Sequence, residues 1–199
     1  MINIKADIRA AEKALGALKK QVPFAASLAM NKTAEQIRKV EQAAARTELE
    51  NPTATTVRGI RYFRSNKRRL EAGVFVIPAI DKFLRYQVHG GTRAPRGRTE
   101  AVPVDIKLNR YGNIPGRRQG KLKKLANRPD TFSGVIGGVA GLWQRVGPRK
   151  RRLKLLVAYE PRTQYKPRWH FYQHAQRTTN RRWARNFERA IRLALATAR

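Results

Sequence analysis

The segment 141–161, GLWQRVGPRKRRLKLLVAYEP, restricts the folds open to this chain more than any other stretch. Apolar residues alternate with polar ones on both sides of its centre, a pattern typical of two antiparallel strands joined by a turn. The turn carries four adjacent cations, Arg149, Lys150, Arg151 and Arg152. Because like charges repel and unpaired cations are costly to bury, we expect this end of the hairpin to lie at the surface.

The rest of the sequence offers these four cations no nearby partner. No acidic residue occurs between Ser133 and Ala158. The chain of 199 residues has 44 Lys and Arg against 13 Asp and Glu, which gives a formal net charge of +31. A surplus of this size opposes compaction and indicates an anionic partner: first nucleic acid, then an acidic protein surface, then anionic lipid. The alternative interpretation of the turn is a solvated loop without a ligand.

Features missing from the sequence exclude several classes of protein. No run of 18 or more apolar residues is present, so we expect no membrane-spanning helix. The first residues, MINIKADIRAAEKAL, lack the apolar core of a signal peptide. The chain has no cysteine, which removes disulfides, thiolate metal sites and a cysteine nucleophile.

The spacing of apolar residues predicts an α+β fold. Helical spacing over 7–21 predicts a first helix, and Pro23 suits the first position of a second helix that begins near Phe24. A long C-terminal helix is predicted to begin just after Pro167. We expect these helices to pack on a small, mostly antiparallel sheet. Period-two alternation places its strands within 61–77, 101–108 and 141–159.

The predicted C-terminal helix combines an apolar stripe with many arginines. We expect Phe171, Phe187, Ile191 and Leu195, which recur at multiples of four, to pack in the core. Trp183 has two interpretations, packing or stacking on nucleic acid. Arginines occupy the remaining faces at positions 177, 181, 182, 185, 189 and 192.

We predict a single domain over residues 1–199, in which 92–134 forms an inserted basic loop or arm. That segment is rich in Gly, Pro, Arg, Lys and Asn, and loops of this length are usually functional or disordered. Its cations join those of the turn as candidate anion ligands. The candidates are Arg117, Arg118, Lys121, Lys123, Lys124, Arg149, Lys150, Arg151 and Arg152. Such side chains bind phosphates without reading base sequence, and the contact weakens as salt rises.

Metal and enzyme interpretations have weaker support. His170 and His174 lie four residues apart, as in some helical metal sites, but no nearby Asp, Glu or Cys supplies a third ligand. Asp105 and Lys107 have the D-x-K spacing of metal-dependent nucleases, with Asp81 upstream, yet so short a motif often occurs by chance. No serine-hydrolase or phosphate-loop motif is present. We therefore predict no catalytic activity, no metal and no cofactor.

The order of the segments resembles a known group of phage proteins. The stretch VPFAASLAMNKTAEQIRK, from Val22, is similar to the VPxAAxxAxNxxA opening of the minor tail protein Z family of lambda-like phages. FLRYQVHGGTR, from Phe83, resembles a pattern of siphophage tail-completion proteins, in which an aromatic segment leads to a Gly-Thr turn. The ending, YKPRWHFYQHAQRTTNRRWARNFERAIRLAL from Tyr165, is similar to theirs as well.

This resemblance implies a structural virion protein without catalytic residues, assembled in the host cytoplasm. Such proteins complete the tail or join it to the head, as a homo-oligomeric ring at the head-proximal end of the tail or in the neck. The implied neighbours are tail-terminator, tail-tube or connector proteins, with nonspecific contact to the double-stranded DNA on the axis. The alternative is a cellular nucleic-acid-binding protein, such as a ribosomal-type RNA binder with a basic arm.

Overall fold

The protein has the predicted α+β fold. The computed structural model describes residues 4–95, 97–115 and 120–197, and their side chains except those of 4–15, 17–20 and 150. The helices are α1 (Ile4–Glu48), α2 (Ala54–Arg58), α3 (Pro78–His89), α4 (Gly120–Ala126) and α5 (Phe171–Ala196). The strands are β1 (Ile60–Phe63), β2 (Gly73–Val76), β3 (Gly91–Arg93), β4 (Glu100–Pro103), β5 (Thr131–Ile136), β6 (Val139–Val146), β7 (Arg152–Glu160) and β8 (Thr163–Tyr165). Within the described part of the chain, no helix is long and apolar enough to span a membrane.

The chain divides into two compact units. We call the first the helical unit, which comprises Met1–Glu48, Ala54–Lys82 and Trp169–Arg199. We call the second the sheet unit, which comprises Leu49–Thr53 and Phe83–Arg168. The single-domain interpretation of the sequence stays a prediction. The segment predicted as an arm, 92–134, belongs to the sheet unit.

The helical unit is built on the contact between α1 and α5. The buried centre of this contact consists of four alanines, Ala25, Ala29, Ala190 and Ala194. Small side chains let the two helices approach closely, so α5 packs on α1 rather than on the sheet that we expected to receive it. Phe187 and Ile191 pack around the alanines, which confirms the predicted role of both. Leu195, in contrast, remains 42% exposed.

One continuous helix replaces the two that the sequence predicts at the N-terminus. The prediction placed a boundary at Pro23 because proline fits the first turn of a helix. Pro23 instead lies inside α1. An internal proline costs about 3 kcal/mol, mainly through one lost backbone hydrogen bond and a clash one turn earlier. Burial of Ala25 and the following turn against α5 offsets this cost.

The hairpin predicted over 61–77 is confirmed, but it forms its own sheet. β1 and β2 pair antiparallel, with Ile60 opposite Val76. Helix α1 holds the hairpin, because Asn31 Oδ1 accepts from the Ser65 amide (2.8 Å) and Gln42 Nε2 donates to the Ile60 carbonyl (3.2 Å). The expectation that 61–77 shares a sheet with 141–159 is therefore wrong: the partner of this hairpin is a helix.

The sheet unit centres on four antiparallel strands in the order β4-β7-β6-β5, and β3 pairs separately with β8. Its core contains Leu142, Leu156 and Val157. A bulge interrupts the β6–β7 register between Leu142 and Trp143, since Leu142 pairs with Val157 and Trp143 with Leu155. Leu156 is thus an extra residue in β7, which allows it to be buried beside Val157.

The segment 92–134 contains more regular structure than the sequence predicts. We expected one strand within 101–108 and otherwise loop; the structure has the end of β3, then β4, α4 and the start of β5. Leu122 and Leu125 of α4 pack on the core of the sheet. These two apolar residues lie at helical spacing, but two positions among Gly, Lys and Arg residues are too few to predict an amphipathic helix.

Candidate anion-binding surface

The four cations predicted at a hairpin end do lie there. β6 and β7 pair up to Val146 and Arg152. A short 3-10 turn, Pro148–Lys150, connects them after Gly147, whose φ is 83°. Arg149, Arg151 and Arg152 are exposed. We call residues 149–152 the basic tip; the side chain of Lys150 is outside the described part of the structure.

The backbone of the basic tip is strained at Arg149. Its φ of 60° and ψ of 16° place it in the left-handed region, which glycine and asparagine occupy far more readily than a long side chain does. Among the described residues, Arg149 forms no hydrogen bond or ion pair that would offset this cost. The residue type at this position is therefore not explained by folding.

The acidic residues close to the tip in the sheet are already engaged. Asp105 Oδ2 lies 2.7 Å from Lys154 Nζ. Asp130 Oδ2 lies 2.7 Å from both Gln144 Nε2 and Arg128 Nη2. The hydrogen bond from Gln144, followed by the contact with Arg128, holds the pKa of Asp130 below its usual value. Among the described side chains, none of the carboxylates forms an ion pair with the arginines of the basic tip.

Helix α4 supplies a second group of cations. Leu122 and Leu125 face the sheet, whereas Lys123 and Lys124 are exposed. Lys121 is partly buried, and its Nζ donates to the carbonyl of Lys107 at 3.0 Å. Two of the predicted anion ligands, Arg117 and Arg118, lie outside the described residues.

The C-terminal end of α4 is attached near the same end of the sheet as the basic tip. Thr131 Oγ1 donates to the Leu125 carbonyl, and Thr131 pairs with Gln144 across β5 and β6. Gln144 precedes Val146, where the turn begins, by two residues, or roughly 7 Å at strand spacing. The structure therefore brings the exposed lysines of α4 and the basic tip to one end of the four-stranded sheet.

Arg145 belongs to the same end of the sheet, although the sequence analysis did not single it out. Its side chain is exposed, and its guanidinium lies 4.7 Å from the centre of the Phe132 ring. The alternation of β6 could have predicted this exposure, since Leu142 is buried and Arg145, three residues later, lies on the opposite face of the strand. We call the basic tip, Arg145 and the exposed lysines of α4 the cationic end.

The D-x-K motif contributes to the base of this surface rather than to an isolated acidic site. Asp105 is half exposed and bound to Lys154, and the backbone of Lys107 holds Lys121. The motif thus orders cations of the sheet unit. The absence of catalytic activity stays a prediction.

In the helical unit, two glutamates of α1 lie against the histidines at the start of α5. Glu48 Oε1 is 3.1 Å from His174 Nε2, and Glu48 Oε2 is 3.3 Å from His170 Nδ1. Glu41 Oε2 is 3.7 Å from His174 Nδ1. The sequence offers no nearby Asp, Glu or Cys as a third metal ligand, but in the fold these two glutamates approach the histidines. Residues 41 and 48 share a face of a helix more than a hundred residues away in sequence.

Glu41 is the unusual member of this cluster. Its side chain is completely buried, and neither carboxyl oxygen has a hydrogen-bond partner among the described residues. Burial, and to a smaller extent the charge of Glu48, raises the pKa of Glu41 to about 8, although the Trp169 indole acts in the opposite direction. The carboxyl is therefore mostly protonated at pH 7. No group of three or more His, Asp or Glu in the described part of the chain has an arrangement suited to a metal ion.

The chain matches no known protein family, no curated protein and no solved structure. Inferences about its function therefore depend on its own residues and on the resemblance of its sequence segments described above.

Proposed function

We propose that the protein is a structural component of a tailed-phage virion. In this proposal it forms a homo-oligomeric ring at the head-proximal end of the tail or in the neck, completes the tail and joins it to the head around the path of the DNA. Tail-terminator, tail-tube or connector proteins are its neighbours. The observation that carries the proposal is the cationic end, where exposed arginines and lysines gather without carboxylate partners among the described residues.

The cationic end is energetically costly for the chain without a partner. Adjacent like charges destabilise the fold that carries them, and the strained Arg149 adds to that cost. An external polyanion removes the repulsion and gains the entropy of released counterions. A closed ring repeats the surface in every subunit, which multiplies the positive potential around one axis.

The composition of the cationic end also favours contact with phosphates over base reading. Its members are Arg and Lys on a turn, on the adjoining strands and on a short helix, and the amide of the neighbouring Gln144 is engaged by Asp130. Arginine and lysine contacts with the backbone position a duplex without specifying its sequence. Such contacts suit DNA of any sequence that moves past or rests against a ring.

The first test replaces the four cations of the basic tip with serine in the full chain. We expect the affinity for a random-sequence DNA duplex to fall, with a shallower dependence on salt, and the yield of infectious particles to drop. The matched control replaces four exposed cations elsewhere in the sheet unit with serine: Arg98, Arg110, Arg162 and Lys166. If the tip variant keeps wild-type DNA affinity and particle yield, the role of the basic tip is wrong.

The second test separates the virion role from the alternative, a ribosomal-type RNA-binding protein. Nuclease-treated protein is analysed by size and mass and mixed with purified tails. The proposal requires closed oligomers or binding to tails without nucleic acid. A chain that stays monomeric, ignores tails and loses its only partner with RNA would favour the RNA-binding alternative instead.

A further inference from the structure

Helix α5 carries a second concentration of positive charge, in the helical unit. Arg177, Arg181, Arg185 and Arg189 recur at every fourth residue, and all four are exposed. We call these four residues the arginine row. Residues at this spacing lie on adjacent turns of one face, so the row runs along about 18 Å of the helix. Arg182 and Arg192 are exposed beside it.

Almost no acidic group compensates the arginine row. Glu188 is the only acidic residue in α5, and its Oε1 lies 2.6 Å from Arg192 Nη2. None of the ion pairs found among the described residues involves the four members of the row. Their guanidinium groups are therefore both exposed and uncompensated.

The packing of α5 does not need the arginine row. The helix is held by Ala190 and Ala194 against α1, and Asn186 Nδ2 donates to Thr33 Oγ1 and to Gln36 Oε1, each at 2.9 Å. These contacts use another face of the helix. Like charges four residues apart destabilise a helix, so the row opposes the stability of the element that carries it.

We propose that the arginine row is a binding surface for the sugar–phosphate backbone of nucleic acid. Guanidinium groups bind phosphate oxygens with two parallel hydrogen bonds, and a regular row of them matches a regular row of phosphates. A protein interface would need an apolar centre, whereas the exposed apolar residue in line with the row, Leu193, lies beyond its last arginine. The polar amides nearby, Gln176 and Asn180, bond to each other at 3.0 Å, so the row binds without sequence preference.

The arginine row belongs to the helical unit and the cationic end to the sheet unit. The row shares the polyanion with the proposed function but requires neither a ring nor a virion, because a monomer would display it fully.

The test uses the full chain and measures its binding to a random-sequence DNA duplex by fluorescence anisotropy across a series of NaCl concentrations. The variant carries Arg177→Gln, Arg181→Gln, Arg185→Gln and Arg189→Gln, since glutamine keeps the helix propensity. The control removes the same charge from exposed positions elsewhere in the helical unit, through Arg58→Gln, Arg61→Gln, Arg64→Gln and Arg68→Gln.

Each lost phosphate contact reduces the slope of log affinity against log salt by about 0.9, so we expect the row variant to lose about 3 to 4 from that slope. The control should lose much less. Without DNA, the row variant should melt no lower than the wild type, because the row repels itself; with DNA, the wild type should gain more in melting temperature.

Two results would overturn the assignment. One is a slope in the row variant that equals that of the wild type or of the control. The other is loss of binding to polyglutamate, used as a model of an acidic protein, with DNA binding unchanged. Measuring the row variant, the tip variant and their combination separates the two surfaces. If the row variant binds DNA like the wild type while the tip variant binds less, the assignment of the row is wrong and the proposed virion role is unaffected.

Discussion

Ionisable side chains that lack a hydrogen-bond partner are accommodated differently at the basic tip of the sheet unit and at the start of α5 in the helical unit. At the tip, cations without partners are exposed and keep their charge. At the start of α5, Glu41 has no hydrogen-bond partner among the described residues, but it is buried and loses its charge by binding a proton. An ionisable group costs least when it is either solvated or neutral. Only the solvated group remains available to a ligand.

The largest difference between the two regions should appear when a side chain is truncated. Trp169 is 1% exposed and packs edge-on against Phe171, with ring centres 5.0 Å apart. We expect Trp169→Ala to reduce the free energy of unfolding by about 3–5 kcal/mol. Leu153→Ala, beside the basic tip, should change it by less than about 0.5 kcal/mol. Urea unfolding of both variants measures this, and similar losses would remove the contrast.

The dependence of stability on pH also distinguishes the two regions. The pKa of Glu41 rises from its ordinary 4.5 to about 8 on folding, so the folded protein binds the proton more tightly. This contribution to stability is fully present below pH 4.5 and is lost as pH rises towards 8. We expect the contribution of Glu41 to the free energy of unfolding to fall by up to about 4 kcal/mol between pH 5 and pH 8. The substitution Glu41→Gln should remove this dependence on pH. Urea unfolding at several pH values tests it; a wild-type-to-variant difference that does not change with pH would contradict it.

A smaller effect is expected at Arg149. Glycine adopts the left-handed conformation freely, so Arg149→Gly should raise the free energy of unfolding by about 1 kcal/mol while weakening DNA binding. Arg151→Gly, at a residue with φ of −83°, is the control and should not stabilise the protein. Thermal unfolding and anisotropy measure the two effects. If Arg149→Gly binds DNA with wild-type affinity, Arg149 does not contribute to DNA binding.

The smallest effect concerns Asp105. Its ion pair with Lys154 is well exposed, so Asp105→Ala should change the free energy of unfolding by less than about 1 kcal/mol. Removing the carboxylate should slightly increase DNA affinity by freeing Lys154. Incubation of the wild type with plasmid and Mg²⁺ completes this test. Cleavage that the substitution abolishes would revive the nuclease interpretation.

Local patterns predicted the elements of the fold more successfully than their partners. The β6–β7 hairpin and α5 follow directly from alternation and helical spacing, which are properties of neighbouring residues. The continuity of α1 through Pro23 depends on packing against α5, and the independence of the 61–77 hairpin depends on hydrogen bonds from α1. Neither of these contacts can be predicted from the residues of the segment whose structure it determines.

The candidate surfaces show the same division. The basic tip was predictable because four cations follow one another on a turn. The cluster of Glu41 and Glu48 with the two histidines was not, since it joins residues more than a hundred positions apart. The position of α4 beside the tip depends on Thr131, whose bond to Leu125 cannot be recognised from composition.

The extra residue Leu156 sets which side of the sheet each half of β7 presents. In a strand, inward and outward positions alternate, and one inserted residue reverses that order for everything on one side of it. Deleting Leu156 would remove the bulge and leave every β6–β7 pair in place. If Leu156 instead took a paired position, the preceding half of β7 would shift by one residue, and Leu153 and Leu155 would exchange faces with Arg152 and Lys154. The direction in which this protein points its charge is therefore decided by a single bulge.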